Sequence, residues 1–291
     1  MGVIHAATEK SFKENKDFKQ RPSWHDPEMV LRLPECMLRR MNQKVQDNRD
    51  NLFPALLAIL LPYASGTQAA MVYSNAFNEP MGTTYPEWSS SSITYSNKIN
   101  PPGSGSLPAP MVTNTNSANH AQQFLGLFGG PPIGVPTDPG WNRTRVDQTV
   151  SLSLSNLPPH RALHLSFDLY IIRSWDGDSP AYGPDRFILS MANGPTLLDT
   201  TFSNNPKTNS DGSFQSYPAP NSAPWTGALS TGTLGYDRFF RDAIYRLNYT
   251  FPHATNRVKI NFTSSLFEGR GSADEAWGLD NVIVSTVTGA D

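Results

Sequence analysis

From Val150 onward the sequence alternates apolar and polar residues with a period of two, and this pattern limits the possible folds more than any other feature. In TVSLSLSNL the apolar side chains are separated by serines, and in LHLSFDLYI five apolar residues alternate with polar ones. Successive side chains of a β-strand point to opposite faces, so this period is typical of half-buried strands. The pattern predicts a protein built from sheets and argues against a helical bundle.

Turn residues divide this region into further strands. Asn193-Gly194 separates RFILSMA from PTLLDTTF, and because both residues tolerate positive φ, a tight hairpin is predicted there. A second hairpin is predicted where two apolar stripes are joined by the polar segment 253–257. The last stretch, WGLDNVIVSTV, is apolar on both faces, as expected of a central strand. We therefore expect two packed antiparallel sheets, an all-β sandwich of the jelly-roll or concanavalin-like kind.

The composition agrees with many short strands and turns. The chain has 25 prolines and 21 glycines, and only 16% of its residues are charged. After residue 69 there are 13 Lys and Arg against 17 Asp and Glu, a net charge of about −4. This region has no basic excess that would attract phosphate backbones, so nucleic acid is not an expected partner.

The N-terminal part has the pattern of an export signal. The segment LFPALLAILLPYA, residues 52–64, is followed by small residues ending at Ala69-Ala70. A stretch of this length is too short to cross a hydrocarbon core ~30 Å thick, which favours a signal peptide over a membrane span. We predict a non-native extension at 1–36, a signal peptide at 37–69 and a single β-sandwich domain at 70–291. The mature protein is then secreted or at the cell surface, without a transmembrane segment.

Three motifs in the second half of the chain belong together: SWDG at 174–177, GPDRF at 183–187 and WGLDNV at 277–282. With these motifs the sequence resembles a group of exported bacterial proteins, many of which carry the C-terminal PEP-CTERM sorting tail. The resemblance covers roughly residues 71–288 and implies a lectin-like or carbohydrate-binding jelly roll. The sequence ends at Asp291 without that tail, so free secretion is expected rather than attachment by that route.

Carboxylates are concentrated in two loops that the strand pattern places at strand ends. Ca²⁺ takes six to eight oxygen ligands, and loops that combine carboxylates with glycines can supply them. The alternative is that these carboxylates bond nearby backbone amides or pair with Arg173 or Arg186. The predicted ligands of a structural calcium ion are Asp176, Asp178, Asp185, Asp274, Glu275 and Asp280.

A carbohydrate-binding face is predicted on the strand 163–171, whose polar residues alternate with its core positions. Sugars are held by an aromatic platform together with fixed polar groups. The alternative is an ordinary solvated face, because an antiparallel sheet can expose one polar side. Arg246, Asn248, Lys259 and Asn261 on later strands are expected to lie on the same face. The predicted residues that bind a polysaccharide or cell-envelope glycan are Trp175, Tyr170, Asp168, His164 and Arg246.

Motifs for catalysis are missing from the sequence. Glu275 and Asp280, the nearest pair of carboxylates for a glycosidase, are five residues apart and should point to opposite faces of a strand. The sequence has no nucleophile elbow and no HExxH motif. It therefore favours a non-catalytic carbohydrate-binding or matrix module with no cofactor besides calcium. The alternative is a polysaccharide-degrading hydrolase or lyase on a jelly-roll scaffold.

Overall fold

The computed structural model describes residues 69–91, 93–96, 103–105, 107, 109–117, 122–129, 144–268 and 274–289. The predicted extension 1–36 and the predicted signal peptide, apart from its last residue, lie outside the described residues. None of the helices in the described ranges has the length and apolarity needed to span a membrane.

The described residues form fourteen strands and one short helical turn. In chain order they are β1 Ala69–Asn75, β2 Trp88–Ser90, β3 Ile93–Ser96, β4 Gly103–Gly105, β5 Val112–Asn114, β6 Gln123–Phe128, β7 Thr144–Ser155, β8 Ala162–Arg173, β9 Arg186–Met191, β10 Thr196–Thr201, α1 Thr208–Asp211, β11 Ser230–Thr231, β12 Ala243–Pro252, β13 Arg257–Glu268 and β14 Glu275–Val287. The helical turn α1 has only four residues, as expected for a chain without an amphipathic helical pattern.

The strands form two antiparallel sheets of seven strands each. Sheet I has the order β11-β12-β8-β14-β6-β5. β1 also pairs with β14, on the edge that β14 shares with β6 and away from β8. Sheet II has the order β10-β9-β13-β7-β3-β4, and β2 pairs with β7 beside β3. The predicted all-β sandwich is confirmed, and β14 is the central strand that its two apolar faces indicated.

The main hydrophobic core contains residues from both sheets. In β8 the alternate residues Leu163, Leu165, Phe167, Leu169 and Ile171 are all fully buried. Sheet II contributes the buried alternate residues of β7 and β13 to the same core. Burial of one such side chain contributes about 1.5–3 kcal/mol, so the period-two pattern is also the main stabilising feature of the fold.

Of the two predicted hairpins, one is confirmed and one is wrong. β9 and β10 pair across Asn193-Gly194, and Asn193 has a φ of 59°. β12, however, pairs with β8 in sheet I, whereas β13 pairs with β7 and β9 in sheet II. The segment 253–256 therefore crosses from one sheet to the other. The turn at Pro158-Pro159 makes the opposite crossing, from β7 in sheet II to β8 in sheet I.

A second, smaller hydrophobic cluster covers one end of the outer face of sheet I. Tyr170 and Ile172 point away from the main core there, since they alternate with its residues along β8. Residues 232–242, which we call the covering loop, place Leu234 on this cluster. The buried carboxylate of Asp242 holds the loop, because its oxygens accept hydrogen bonds from the backbone N–H groups of Arg173 and Tyr236 at 2.9 and 2.8 Å. On the remaining part of this outer face, Arg246, Asn248 and Thr250 are exposed among the described residues.

Candidate functional site

Three of the six predicted metal ligands meet at one end of the sandwich. Asp176 follows β8, Asp185 precedes β9, and Glu275 is the first residue of β14. Each residue offers a carboxylate oxygen, and the three oxygens lie within 4.8 Å of one another. All three side chains are buried. We call this group the carboxylate cluster.

Hydrogen bonds hold the carboxylate cluster in place. The two oxygens of Asp185 accept bonds from the backbone N–H groups of Asp176, at 2.5 Å, and Phe267, at 3.2 Å. The side-chain amide of Asn205 donates to Oδ1 of Asp176. The loop around Gly177 has to pass close to its neighbours: this glycine has a φ of 59°, and a Cβ would overlap the backbone of Phe214. The DG pair of SWDG thus supplies one carboxylate of the cluster and the tight turn beside it.

The electrostatics of the carboxylate cluster oppose full ionisation. Burial, with a smaller contribution from the nearby charge of Asp274, raises the pKa of Asp176 from 3.8 to about 7, although the hydrogen bond from Asn205 lowers it in part. Burial also raises the pKa of Asp185 well above its ordinary value, and the charge of Asp176 adds to this effect. Buried carboxylates this close together are stable as ions only when a cation compensates them. The cluster therefore either holds protons or binds a metal ion.

The other three predicted ligands have different positions. Asp274 is half-buried next to the cluster and accepts a hydrogen bond from the hydroxyl of Ser174 at 3.0 Å. Asp178 is exposed, and its carboxylate accepts a bond from the hydroxyl of Thr201 at 2.8 Å. Asp280 lies on the outer face of sheet I, because it and Glu275 point to opposite sides of β14. The prediction is thus wrong in placing Asp178 and Asp280 in the same site.

The open part of the outer face of sheet I carries a patch of polar side chains in adjacent strands. Arg246 of β12 lies opposite Asp168 of β8, and Asp168 lies opposite Asp280 of β14. The next two rows along β12 and β8 pair Asn248 with Ser166 and Thr250 with His164. We call this patch the polar face, and it consists of His164, Ser166, Asp168, Arg246, Asn248, Thr250, Asp280 and Asn281.

A network of hydrogen bonds fixes one end of the polar face. The guanidinium of Arg246 donates two bonds to the carboxylate of Asp168, at 2.8 and 2.9 Å. The amide of Asn281 donates to both carboxylates, at 2.9 Å to Asp168 and 3.3 Å to Asp280. Asn281 has a φ of 49° and occupies the register shift of β14 that follows Asp280. Such strain persists where the surroundings over-determine it, and it often marks functional sites.

The two carboxylates of the polar face differ in their environment. Burial raises the pKa of Asp280 from 3.8 to about 6; hydrogen bonds from Tyr170 and Asn281 lower it in part, and the charge of Asp168 raises it again. Asp168 forms the ion pair with Arg246, whose side chain is 53% exposed, whereas that of Asp168 is only 5% exposed. The polar face thus has one exposed cation, and a buried carboxylate already neutralises it.

Two of the five predicted sugar-binding residues are not on the surface. Trp175 is fully buried in the main core, where its Nε1 donates to the carbonyl of Ala276 at 2.8 Å. Trp175 continues the alternation of the buried residues Leu163 to Ile171, so its position in the sequence already favoured the core, and its placement on the carbohydrate-binding face was wrong. Tyr170 is 2% exposed; its ring lies 5.1 Å from that of Phe124, and its hydroxyl donates to Asp280. Neither ring is the exposed aromatic platform that was predicted.

Asp168, His164 and Arg246, the other three, do share the polar face, and the ring of His164 bonds the hydroxyl of Thr250 at 2.9 Å. Lys259 and Asn261 do not belong to it, because they lie on β13 in sheet II. The same alternation that marked them as outward-facing could not tell which of the two sheets they are on.

The sequence analysis missed the aromatic side chains of the covering loop. Phe239 is 55% exposed, and the ring of Phe240 packs edge-on against it with centroids 5.0 Å apart. The carboxylate of Asp237 fixes their backbone by accepting bonds from both N–H groups at 2.7 and 2.8 Å. The signal was the run LGYDRFF, two adjacent phenylalanines in an otherwise polar loop. This loop offers an aromatic surface that Trp175 and Tyr170 do not.

Comparison with known proteins gives only structural similarities. No family model matches the chain, and no curated protein matches it. A mannan-recognising carbohydrate-binding module, TmCBM27, is similar with 11% identity and a TM-score of 0.33, over 75% of this chain and 98% of that module. The C-terminal CBM6 of the laminarinase LamC from Zobellia galactanivorans has 11% identity and a TM-score of 0.24, over 60% of this chain and 98% of that module.

The enzymatically active domain of tailspike protein 4 from bacteriophage CBA120 is similar over 69% of this chain, with 12% identity and a TM-score of 0.28. This chain spans only 19% of that protein's length. TM-scores as low as these do not establish a common fold. The function of the chain has to be inferred from its own residues.

Proposed function

We propose that this chain is an exported, non-catalytic module that binds a polysaccharide or cell-envelope glycan on the polar face. The observation that supports this proposal is the open row of uncharged donors and acceptors beside the fixed pair of Arg246 and Asp168. Asn248 and Thr250 are exposed there, and Ser166 and His164 are half-buried beside them.

The chemistry of the polar face suits sugar hydroxyls. A hydroxyl group both donates and accepts, and the amide of Asn248, the hydroxyls and the imidazole can meet both requirements. The bidentate ion pair and the β-sheet hold these groups in position before a ligand arrives, which lowers the entropy lost on binding. Phe239, on the loop that covers the other end of this sheet, is an exposed ring of the kind on which sugars pack.

The alternative, a polysaccharide-degrading enzyme, is less well supported by the same face. Asp168 and Asp280 are its carboxylates among the described residues, and they are 4% and 7% exposed. Asp168 is also engaged by two hydrogen bonds from Arg246. A hydrolase needs two carboxylates that reach the glycosidic bond from an open cleft, which this buried pair does not provide. Binding without cleavage is therefore the function we propose.

Affinity electrophoresis in gels that contain a series of plant, algal and bacterial polysaccharides tests this proposal. We expect at least one polymer to retard the native protein, and the double variant Asn248→Ala, Thr250→Ala to bind at least about tenfold more weakly because two hydrogen-bonding groups are lost. Lys259→Ala is the matched control, since Lys259 is an exposed polar residue on the outer face of sheet II.

Two outcomes would contradict the proposal. Unchanged binding by the double variant, or equal loss in the Lys259→Ala control, would remove the polar face as the binding surface. Release of reducing ends or unsaturated sugars from a polymer would support the enzyme instead.

The proposal includes export, which the apolar segment 52–64 supports. Expression in a bacterial host with a secretion pathway should deliver the protein outside the cytoplasm with a new N-terminus close to Ala70. N-terminal sequencing of the exported protein measures this. A protein that stays in the cytosol with residues 37–69 attached would contradict it.

We also propose that the carboxylate cluster binds a structural Ca²⁺ ion through Asp176, Asp185 and Glu275. Carboxylate oxygens are the ligands that this ion prefers, and its charge would compensate the buried cluster. Calcium should raise the melting temperature of the chelator-treated protein, and Glu275→Gln should reduce this rise. Asp178→Asn is the control that should leave it unchanged. Equal melting temperatures with calcium and with chelator would exclude the ion.

A further inference from the structure

Two histidines join the two crossings between the sheets. His160 lies in the crossing from β7 to β8, and His253 lies in the crossing from β12 to β13. Nε2 of His160 is 2.7 Å from Nδ1 of His253. The ring planes are within 14° of parallel and the centroids are 5.0 Å apart, which for so short a contact between nitrogens means that the rings meet edge to edge.

The outer nitrogen of each ring faces a backbone carbonyl. Nδ1 of His160 is 2.6 Å from the carbonyl oxygen of Pro158, and Nε2 of His253 is 3.1 Å from that of Arg257. A carbonyl oxygen only accepts hydrogen bonds. Three contacts therefore need one hydrogen each, and two neutral imidazoles carry only two. A third proton on the pair would satisfy all three contacts.

The hydroxyl of Thr255 does not replace the missing proton. Its hydroxyl lies 2.8 Å from the carbonyl oxygen of Arg257 and 3.2 Å from Nε2 of His253, and it has one hydrogen to donate. When the pair is neutral, the hydroxyl can donate to His253 only by giving up its bond to Arg257. The neutral pair thus leaves one of the three contacts without a hydrogen, whichever tautomers the two rings adopt.

The charged groups around the pair set a limit on its protonation. Arg161 and Arg257 flank the histidines in the two crossings, and the backbone N–H of Arg161 donates to Val287 at the end of β14. Burial lowers the pKa of His253 from 6.5, and the charge of His160 lowers it further. The hydrogen bond to the carbonyl of Arg257 raises the pKa of His253 in part, and the first extra proton on the pair opposes a second one.

We infer that His160 and His253 share one extra proton and form a cationic clamp between the two crossings of the sandwich. The clamp adds to two backbone bonds that already join these crossings, from Leu157 N–H to Asn256 and from His253 N–H to Arg161, both of 3.0 Å. In this state every ring nitrogen donates or accepts within the pair and its two carbonyls. Loss of the proton at higher pH, or a second proton at lower pH, weakens the clamp.

How stability changes with pH depends on how many protons the folded and the unfolded states bind. In the unfolded chain both histidines titrate near their ordinary pKa of 6.5. In the folded protein with a shared proton, the pair binds the first extra proton with a pKa above this ordinary value and the second with a pKa below it. Above pH ~6.5 the folded state binds more protons, so stability falls as the pH rises; below it the unfolded state binds more, so stability falls as the pH falls. The contribution of the pair is greatest near pH ~6.5.

The test compares the full exported chain with its His253→Gln variant in urea unfolding between about pH 4.5 and pH 8.5, a range chosen around the histidine pKa. The difference in midpoint between the two proteins should pass through a maximum near pH ~6.5. His164→Gln is the control, because His164 is a half-buried histidine outside the pair and should give no maximum. A difference that rises steadily with pH and levels off would mean that the pair is neutral, and would overturn the inference.

A second variant and a direct measurement keep the test decisive if His253→Gln does not fold. His160→Gln removes the other ring of the pair, so its difference in midpoint from the native protein should show the same maximum near pH ~6.5. Nitrogen-15 NMR of the imidazoles near pH ~6.5 should count three N–H protons over the two rings. Two protons at that pH, or no maximum in His160→Gln, would each contradict the shared proton.

Discussion

Gly278 shows at the scale of one residue how closely sheet I is packed. A Cβ at this position would overlap the ring of Phe124, which covers Gly278 and Gly126 on the outer face. We predict that Gly278→Ala lowers the free energy of unfolding by about 1–3 kcal/mol, the usual cost of overpacking, measured by urea denaturation. The control is a double-mutant cycle with Phe124→Leu. If the ring of Phe124 causes the destabilisation, the double variant should lose less free energy of unfolding than the two single variants lose together.

The sequence predicted some site residues and not others for physical reasons that can be named. Asp176, Asp185 and Glu275 were found because they stand where strands begin or end, and antiparallel strands bring such ends together. Trp175 was misplaced although its position continues the alternation of the buried residues of β8, because the prediction ended that strand at residue 171. The burial of Tyr170 depends on the covering loop, which is distant in sequence from β8.

At the scale of the elements, alternation located the long strands but not their partners. β12 and β13 are close in sequence and show the same pattern, yet they lie in different sheets. A strand with one buried face looks the same in sequence whether the next strand pairs with it or packs across the core from it. The β9–β10 hairpin was predictable because Asn193-Gly194 supplies a backbone conformation that few other residues adopt.

That hairpin gives a prediction at the same scale. Asn193 has a φ of 59°, a left-handed conformation that costs an ordinary residue about 1–2 kcal/mol. Asn193→Ala should therefore lower the free energy of unfolding by about 1 kcal/mol, as measured by urea denaturation. Asn193→Gly, which accepts this φ without strain, should stay close to the native value. Equal losses in both variants would show that the asparagine side chain matters more than the backbone conformation.

For the whole molecule, the carboxylate cluster predicts that calcium reverses the response of stability to acid. Without metal the pKa of Asp176 is about 7, so the folded state binds more protons than the unfolded chain, and stability should rise as the pH falls from about 7. With calcium bound the carboxylates stay ionised, and stability should fall with the pH because protons compete with the ion. Melting temperatures between about pH 5 and pH 7, with calcium and with chelator, measure the two slopes.

Equal slopes under both conditions would contradict this prediction. Glu275→Gln should abolish the difference between the slopes, since it removes one ligand of the cluster. Asp178→Asn, outside the cluster, should preserve it.

The position of the core tryptophans gives the molecule an intrinsic optical probe. Trp175 immediately precedes Asp176, Trp277 follows Glu275 by two residues, and both indoles are fully buried. A change of charge beside two shielded chromophores alters their emission, whereas a ligand on the polar face approaches neither of them. Fluorescence titration of the unlabelled protein should therefore register the arrival of a cation.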